Sequence, residues 1–170
     1  MRYAIIENEI VVNIAVADEP LGENWVASET AQIGWNYDGE TFTPPAPSAK
    51  TPTDVNGERD RRLELDFDFN GVMFQRDEVS VRRISGASTQ ALGAMMNGAQ
   101  AGDLHWHGDP ANPFGWIASD NSVVQMDAQT MFAFGQAAAA VESRLVFAAK
   151  ALRDMDPIPS DYADDAYWTG

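Results

Sequence analysis

The sequence of 170 residues contains no cysteine, which excludes disulfides, thiol catalysis and thiolate metal sites. Basic residues are scarce as well, since 11 lysines and arginines stand against 26 acids and leave a formal net charge of −15. A surface of that sign repels phosphate groups, so we expect no nucleic-acid binding and no attachment to anionic membranes. No apolar run approaches the roughly 20 residues that span a bilayer, so we expect no membrane insertion.

Motifs of nucleophilic catalysis and phosphate binding are also missing. The sequence has no Gly-x-Ser-x-Gly and no glycine-rich loop followed by Lys-Ser or Lys-Thr. The 26 acids allow many accidental carboxylate pairs, and no pair stands out as the basis of glycoside hydrolysis. We therefore expect no catalytic residues and no cofactor, and we predict that the protein is not an enzyme.

Histidine is rare, and the only two, His105 and His107, lie between Asp103 and Asp109. On a strand these four side chains would face one side, as the ligands of several metallohydrolases do. Such sites need further histidines, which the chain lacks, although three chains around a threefold axis would together supply six. We interpret the pair as part of a turn and predict that it binds no metal.

A second metal-like pattern has Asp66, Asp68 and Asn70 followed by Gly71 and Asp77, the spacing of a calcium loop. The same segment alternates apolar residues with period two around Asn-Gly, which is typical of a β-hairpin. A calcium loop would place three phenylalanine rings at the surface, and aspartate at its last position is a poorer bidentate ligand than glutamate. We therefore predict a hairpin without metal.

The pattern of residues 1–43 predicts a small antiparallel β unit. The β-branched runs Tyr3–Glu7 and Ile10–Val16 are typical of a hairpin, and Trp25–Ala27 is a third candidate strand. A second hairpin is predicted between Ile33 and Phe42, where Asp-Gly would form a type I′ turn. Residues 44–53 contain four prolines and predict a semi-rigid linker.

Residues 54–159 predict a helix–hairpin–helix–hairpin–helix domain, which makes the fold class α+β. We expect the first helix to begin at an N-cap Asp54 and the second to begin near Ser80 and end at Asn97-Gly98. Further hairpins are predicted around Asn70-Gly71 and around Asp120-Asn121. Residues 160–170 are acidic and aromatic, and we expect them to fray.

The sequence predicts a final helix that begins after Asp127 and ends before Pro157. It carries an apolar seven-residue repeat, which is typical of a core-facing helix or of a helix that packs on another subunit. Phe132, Val146 and Phe147 lie outside the repeat and are the candidate subunit interface. The repeat consists of Met131, Phe134, Ala138, Val141, Leu145, Ala148 and Leu152.

Two parts of the sequence resemble modules of tailed bacteriophages. The segment that ends with Ile33–Pro45 resembles the short N-terminal module of many phage tail proteins. Residues from about 55 to 165 resemble a domain of unknown function that recurs in phage tail and prophage genes. The segments that carry this second resemblance occur in the same order and at the same spacing as in that domain. They are Val55–Arg62, Phe67–Gly71, Ile84–Ala87, Phe114–Asn121 and the final helix.

The resemblance implies a structural component of the virion, made in the host cytoplasm and located in the tail as a tip, fibre or fibre-attachment subunit. Its expected partners are other phage tail proteins and copies of itself, with a trimer favoured because phage fibres and tips commonly use threefold symmetry. Recognition of a host surface receptor is a further role left open. The alternative is a tail-fibre assembly chaperone that is absent from the mature particle.

Overall fold

The computed structural model describes residues 1–169 and divides into two units, Met1–Ser48 and a second unit that begins at Ala49. The first unit is an antiparallel sheet, and the second combines three helices with two hairpins. The predicted α+β class is therefore confirmed.

The first unit has five strands: β1 (Arg2–Glu7), β2 (Ile10–Val16), β3 (Trp25–Ala27), β4 (Asn36–Tyr37) and β5 (Phe42–Thr43). Their order in the sheet is β3-β1-β2-β4-β5, and each is antiparallel to its neighbour. The β1–β2 turn places Asn8 and Glu9 at φ 50° and 64°, the positive values that a tight two-residue hairpin turn requires. Few residues of this unit are buried: Ala4, Val11 and Ala31 form a small cluster, and the buried Tyr3 ring lies 5.9 Å from Trp25.

The predicted type I′ turn at Asp38-Gly39 is wrong, because only Gly39 has a positive φ. The Asp38 carboxylate instead accepts hydrogen bonds from the backbone N–H groups of Glu40 and Thr41 and from the Thr41 hydroxyl. These bonds, chiefly the one from the Thr41 backbone, lower the pKa of Asp38 to about 2. The side chain therefore stabilises a longer loop than the Asp-Gly pair alone predicts.

The three helices of the second unit are α1 (Pro52–Leu63), α2 (Glu78–Met96) and α3 (Ala128–Arg153). Asp127 caps α3 and Asn97 ends α2, as predicted. The prediction that Asp54 caps α1 is wrong, because Thr51 is the N-cap and Asp54 completes a capping box three residues later. Asp77 caps α2, three residues before the predicted start.

Two hairpins cover the helices and supply aromatic side chains to the main core. They are β6 (Phe67–Phe69) with β7 (Val72–Phe74), and β8 (Gly115–Ile117) with β9 (Val123–Gln125). Phe134 of α3 lies at the centre of this core, and its ring centroid is 4.7 Å from Phe74, 5.3 Å from Phe67 and 5.8 Å from Trp116. Each such aromatic pair contributes about 0.5–1.5 kcal/mol beyond its buried area.

The expectation that the C-terminal segment frays is wrong for residues 160–169. Trp168 is only 1% exposed and lies in a second core cluster with Val55 and Leu152. Its indole N–H donates to the Tyr162 carbonyl at 2.8 Å, and the guanidinium of Arg62 lies 5.0 Å from its ring centroid. The segment therefore packs onto α1 and α3 as part of the domain.

Candidate interaction surface

Helix α3 turns one face into the two core clusters of the second unit. Of the seven predicted repeat positions, Met131, Phe134, Ala138, Leu145 and Leu152 are buried. The other two are half-buried, and Ala149 is buried in place of Ala148. A helix with 3.6 residues per turn drifts by about 20° per heptad, which moves the buried stripe by one residue over this length.

The three candidate interface residues do not share one environment. Phe147 is 67% exposed and Val146 is 41% exposed, so both present apolar surface to solvent. Phe132 is half-buried and packs against the main core. It also lies about 21 Å along the helix axis from Val146 at 1.5 Å per residue. The structure therefore supports Val146 and Phe147 as a surface pair and assigns Phe132 to packing within the domain.

A shallow groove of about 460 Å³ runs beside Phe147. Small side chains, Ala140, Ser143 and Ala148, line it together with Tyr167 from the C-terminal segment. The Tyr167 hydroxyl donates to the Asp161 carboxylate at 3.3 Å, and burial together with this carboxylate raises the pKa of the phenol. The groove thus combines a large exposed ring with room for an apolar side chain of a partner.

Arg144 is the cation of this groove, and it has no hydrogen bond or ion pair with any of residues 1–169. It also lines an adjoining cavity of about 340 Å³ beside Trp168. Most other arginines of the second unit are engaged, as in the pairs of Arg62 with Glu58 and of Arg82 with Glu78. An unengaged guanidinium next to exposed apolar surface is suited to a partner that brings a carboxylate.

Arg76 is a buried charge that no pattern in the sequence indicates. It is 2% exposed, and its Nε and Nη1 atoms have no hydrogen-bond partner among residues 1–169. Burial lowers the pKa of its guanidinium, while Glu142 and Glu64 oppose this shift. Both glutamates line the same cavity, of about 220 Å³. The residue follows a hairpin and precedes a helix cap, where sequence alone predicts an exposed side chain.

The calcium-like segment is a hairpin, as expected. Asn70 and Gly71 form the β6–β7 turn with φ of 55° and 80°. The Asp77 carboxylate accepts from the backbone N–H groups of Val79 and Ser80 and from the Ser80 hydroxyl, which lowers its pKa. Asp77 is thus committed to capping α2 rather than facing the hairpin.

The two histidines lie in a loop and face different surroundings. A ring nitrogen of His105 is 3.1 Å from the Asp109 carbonyl, whereas the His107 ring packs 5.3 Å from Phe114. Within residues 1–169, no group of three or more histidine, aspartate and glutamate side chains is arranged to hold a metal ion. That both segments lack metal remains a prediction.

Over the part of the chain that the structure describes, no helix has the length and apolar character needed to cross a membrane.

Comparison with known proteins identifies the second unit. No curated protein matches the sequence. Residues 46–167 match the model of a domain of unknown function, DUF4376, which covers all three helices and both hairpins. The match confirms that this region resembles a domain of unknown function, and the family description says nothing about phage tails. The chain therefore belongs to the DUF4376 family.

Proposed function

We propose that this protein is a structural subunit of a bacteriophage tail that acts through protein–protein contacts and not through catalysis. The observation that carries the proposal is Phe147, a ring that is 67% exposed on an ordered helix beside an open groove. The resemblance of the N-terminal unit to a phage tail module supports the tail as its location, as does the resemblance of residues 55–165 to a domain recurrent in phage tail genes.

The energetics favour burial of this surface in an assembly. Covering a side chain such as Phe147 or Val146 contributes about 1.5–3 kcal/mol for each complete burial. The opposing term is repulsion between chains of net charge −15. At physiological salt this repulsion is screened over about 8 Å. Apolar contacts close to Arg144 therefore need to outweigh only a weakened repulsion between the chains.

The partners that we propose are copies of the same chain and neighbouring tail proteins. A trimer is favoured, and that preference comes from the resemblance to phage fibres and tips. The contact is centred on Val146 and Phe147, since Phe132 is engaged in the core. Binding of a host surface receptor is compatible with the same tail location.

Phe147→Asp tests the contact. We expect the purified chain to sediment and scatter light as an oligomer at micromolar concentration, and the variant to become a monomer with an unchanged circular dichroism spectrum. Met96→Asp is the matched control, because Met96 is an exposed apolar residue on α2 and its variant adds the same charge. A variant that unfolds instead would assign Phe147 to the core, and a monomeric parent chain would contradict self-association.

The tail location has its own test. Mass spectrometry of purified particles should detect the protein with other tail proteins. Detection in the lysate but never in particles would contradict a virion component and favour the alternative, a tail-fibre assembly chaperone.

A further inference from the structure

A second surface of the DUF4376 domain combines a half-buried indole with polar side chains, most of which form no hydrogen bond within residues 1–169. An open pocket of about 400 Å³ lies between the β8–β9 hairpin and the start of α2. Trp116, Ile117 and Asn121 line it from the hairpin side, and Gln75 and Arg83 line it from the other. This volume is within the range of pockets that hold small ligands, about 300–1,000 Å³.

The indole of Trp116 differs from the other two in this unit. Trp106 donates its N–H to the Met126 carbonyl at 3.0 Å, and Trp168 donates to the Tyr162 carbonyl at 2.8 Å. The Trp116 N–H has no hydrogen-bond partner among residues 1–169 and is not fully buried. Because tryptophan usually pairs this group when it is buried, the N–H can donate to a ligand that enters the pocket.

Three of the four polar side chains that line the pocket are unengaged, while the fourth, Ser80, donates its hydroxyl to the Asp77 carboxylate. Within residues 1–169, the side chains of Gln75, Arg83 and Asn121 form no hydrogen bond or ion pair. The neighbouring Arg82, on the same helix, is paired with Glu78 at 2.7 Å. Arg83 is thus a free guanidinium next to two free amides and a free indole N–H, which makes the pocket rich in donors.

The chemistry of this set identifies the ligand class. An indole ring and the exposed Ile117 match the apolar C–H face of a pyranose ring, while side-chain amides match hydroxyl groups because they both donate and accept. A guanidinium can bind a carboxylate through two parallel hydrogen bonds. Because donors exceed acceptors in the lining, the ligand must supply acceptor oxygens.

We propose that the pocket formed by Gln75, Arg83, Trp116, Ile117 and Asn121 binds a carboxylated saccharide unit, with the sugar against Trp116 and its carboxylate on Arg83. This proposal does not rest on the α3 surface, because the two sets share no residue. Either can therefore fail while the other stands.

The test is a nuclear magnetic resonance titration of the full ¹⁵N-labelled chain with methyl β-D-glucuronide. Methyl β-D-glucoside is the uncharged control ligand. The Trp116 indole resonance, assigned with Trp116→Phe, should shift and saturate with a dissociation constant on the order of 1 mM. The glucoside should bind about tenfold more weakly, since it lacks the charge-assisted bonds to Arg83.

Arg83→Gln should weaken glucuronide binding about tenfold, and Arg82→Gln is the matched control that should leave binding unchanged. Both side chains are exposed, so both variants should fold. Absence of a saturable shift with glucuronide, or equal effects of the two substitutions, would overturn the proposal. A stronger response of the same resonance to N-acetylglutamate methylamide would also overturn it, in favour of a peptide ligand.

Discussion

At the scale of single residues, two glycines show how packing decides what a position tolerates. Gly135 of α3 faces Ser88 of α2, and a Cβ added at residue 135 would overlap the Ser88 side chain. Gly86 of α2 faces open space. Both residues are helical, so the intrinsic gain from alanine is the same and only the neighbours differ.

We expect Gly135→Ala to lower the free energy of unfolding by about 1–3 kcal/mol, because α2 and α3 must move apart. Gly86→Ala should raise it by up to about 1 kcal/mol, since alanine has the higher helix propensity. Urea denaturation measures both values. Adding Ser88→Gly to Gly135→Ala should recover part of the loss, and no recovery would show that the Ser88 contact is not its cause.

At the scale of elements, the start of α3 depends on one carboxylate. Asp127 accepts from the Thr130 backbone N–H at 2.7 Å and from the Gly102 N–H at 2.7 Å, so it caps the helix and anchors the preceding loop. The Thr130 side chain first, and then the backbone bonds from Gly102 and Thr130, lower the pKa of Asp127 below the ordinary value of 3.8. A carboxyl group whose pKa is lower in the folded state stabilises the fold above its unfolded pKa and loses that contribution as the pH falls through its folded pKa.

Asp127→Ala should therefore lower the free energy of unfolding by about 1–2 kcal/mol at neutral pH. The difference from the parent chain should shrink as the pH falls below the ordinary aspartate pKa of about 3.9, because the parent loses the contribution of the carboxylate as it is protonated. Urea denaturation over this pH range measures the change. Asp127→Asn keeps an acceptor without a charge, so its stability should vary less with pH, and a difference for Asp127→Ala that does not change with pH would contradict the role of the carboxylate.

At the scale of the whole chain, the segment that links the two units in sequence contains a lysine that a protease can reach. The chain has two lysines, Lys50 and Lys150. Lys50 is exposed and precedes α1, whereas Lys150 lies in the last turn of α3, where cleavage requires local unfolding. Both core clusters of the second unit consist of residues beyond position 50.

Under native conditions, a lysine-specific endoprotease should cut first after Lys50 and leave residues 51–170 as a resistant fragment. Mass spectrometry over time identifies the order of cleavage, and circular dichroism of the isolated fragment should retain the helical signal. Early cleavage after Lys150 would mean that α3 opens readily. Loss of the helical signal would mean that the second unit depends on the first.

Part of the candidate surfaces could be predicted from the sequence. Phe147 is exposed, as expected of a residue outside the repeat, but Phe132 is half-buried although it too lies outside the repeat. The Trp116 pocket was not predicted, because Gln75, Arg83 and Asn121 come from three separate segments of the chain. No short-range pattern connects such residues.

The sequence by itself determined the order and type of the elements. Asn8-Glu9 and Asn70-Gly71 turn the chain, Asp127 begins α3 and Asn97 ends α2. These signals work because a turn or a helix cap depends on bonds among residues within about four positions of one another.

Only the tertiary structure decided which side chains are buried. Trp168, near an acidic end of the chain, is buried because α1 and α3 form a site for its ring and a carbonyl accepts its N–H. Arg76 is buried beside a cavity to which all three helices contribute lining residues. Burial depends on distant segments that fold into contact, and the local pattern around a residue does not specify which segments those are.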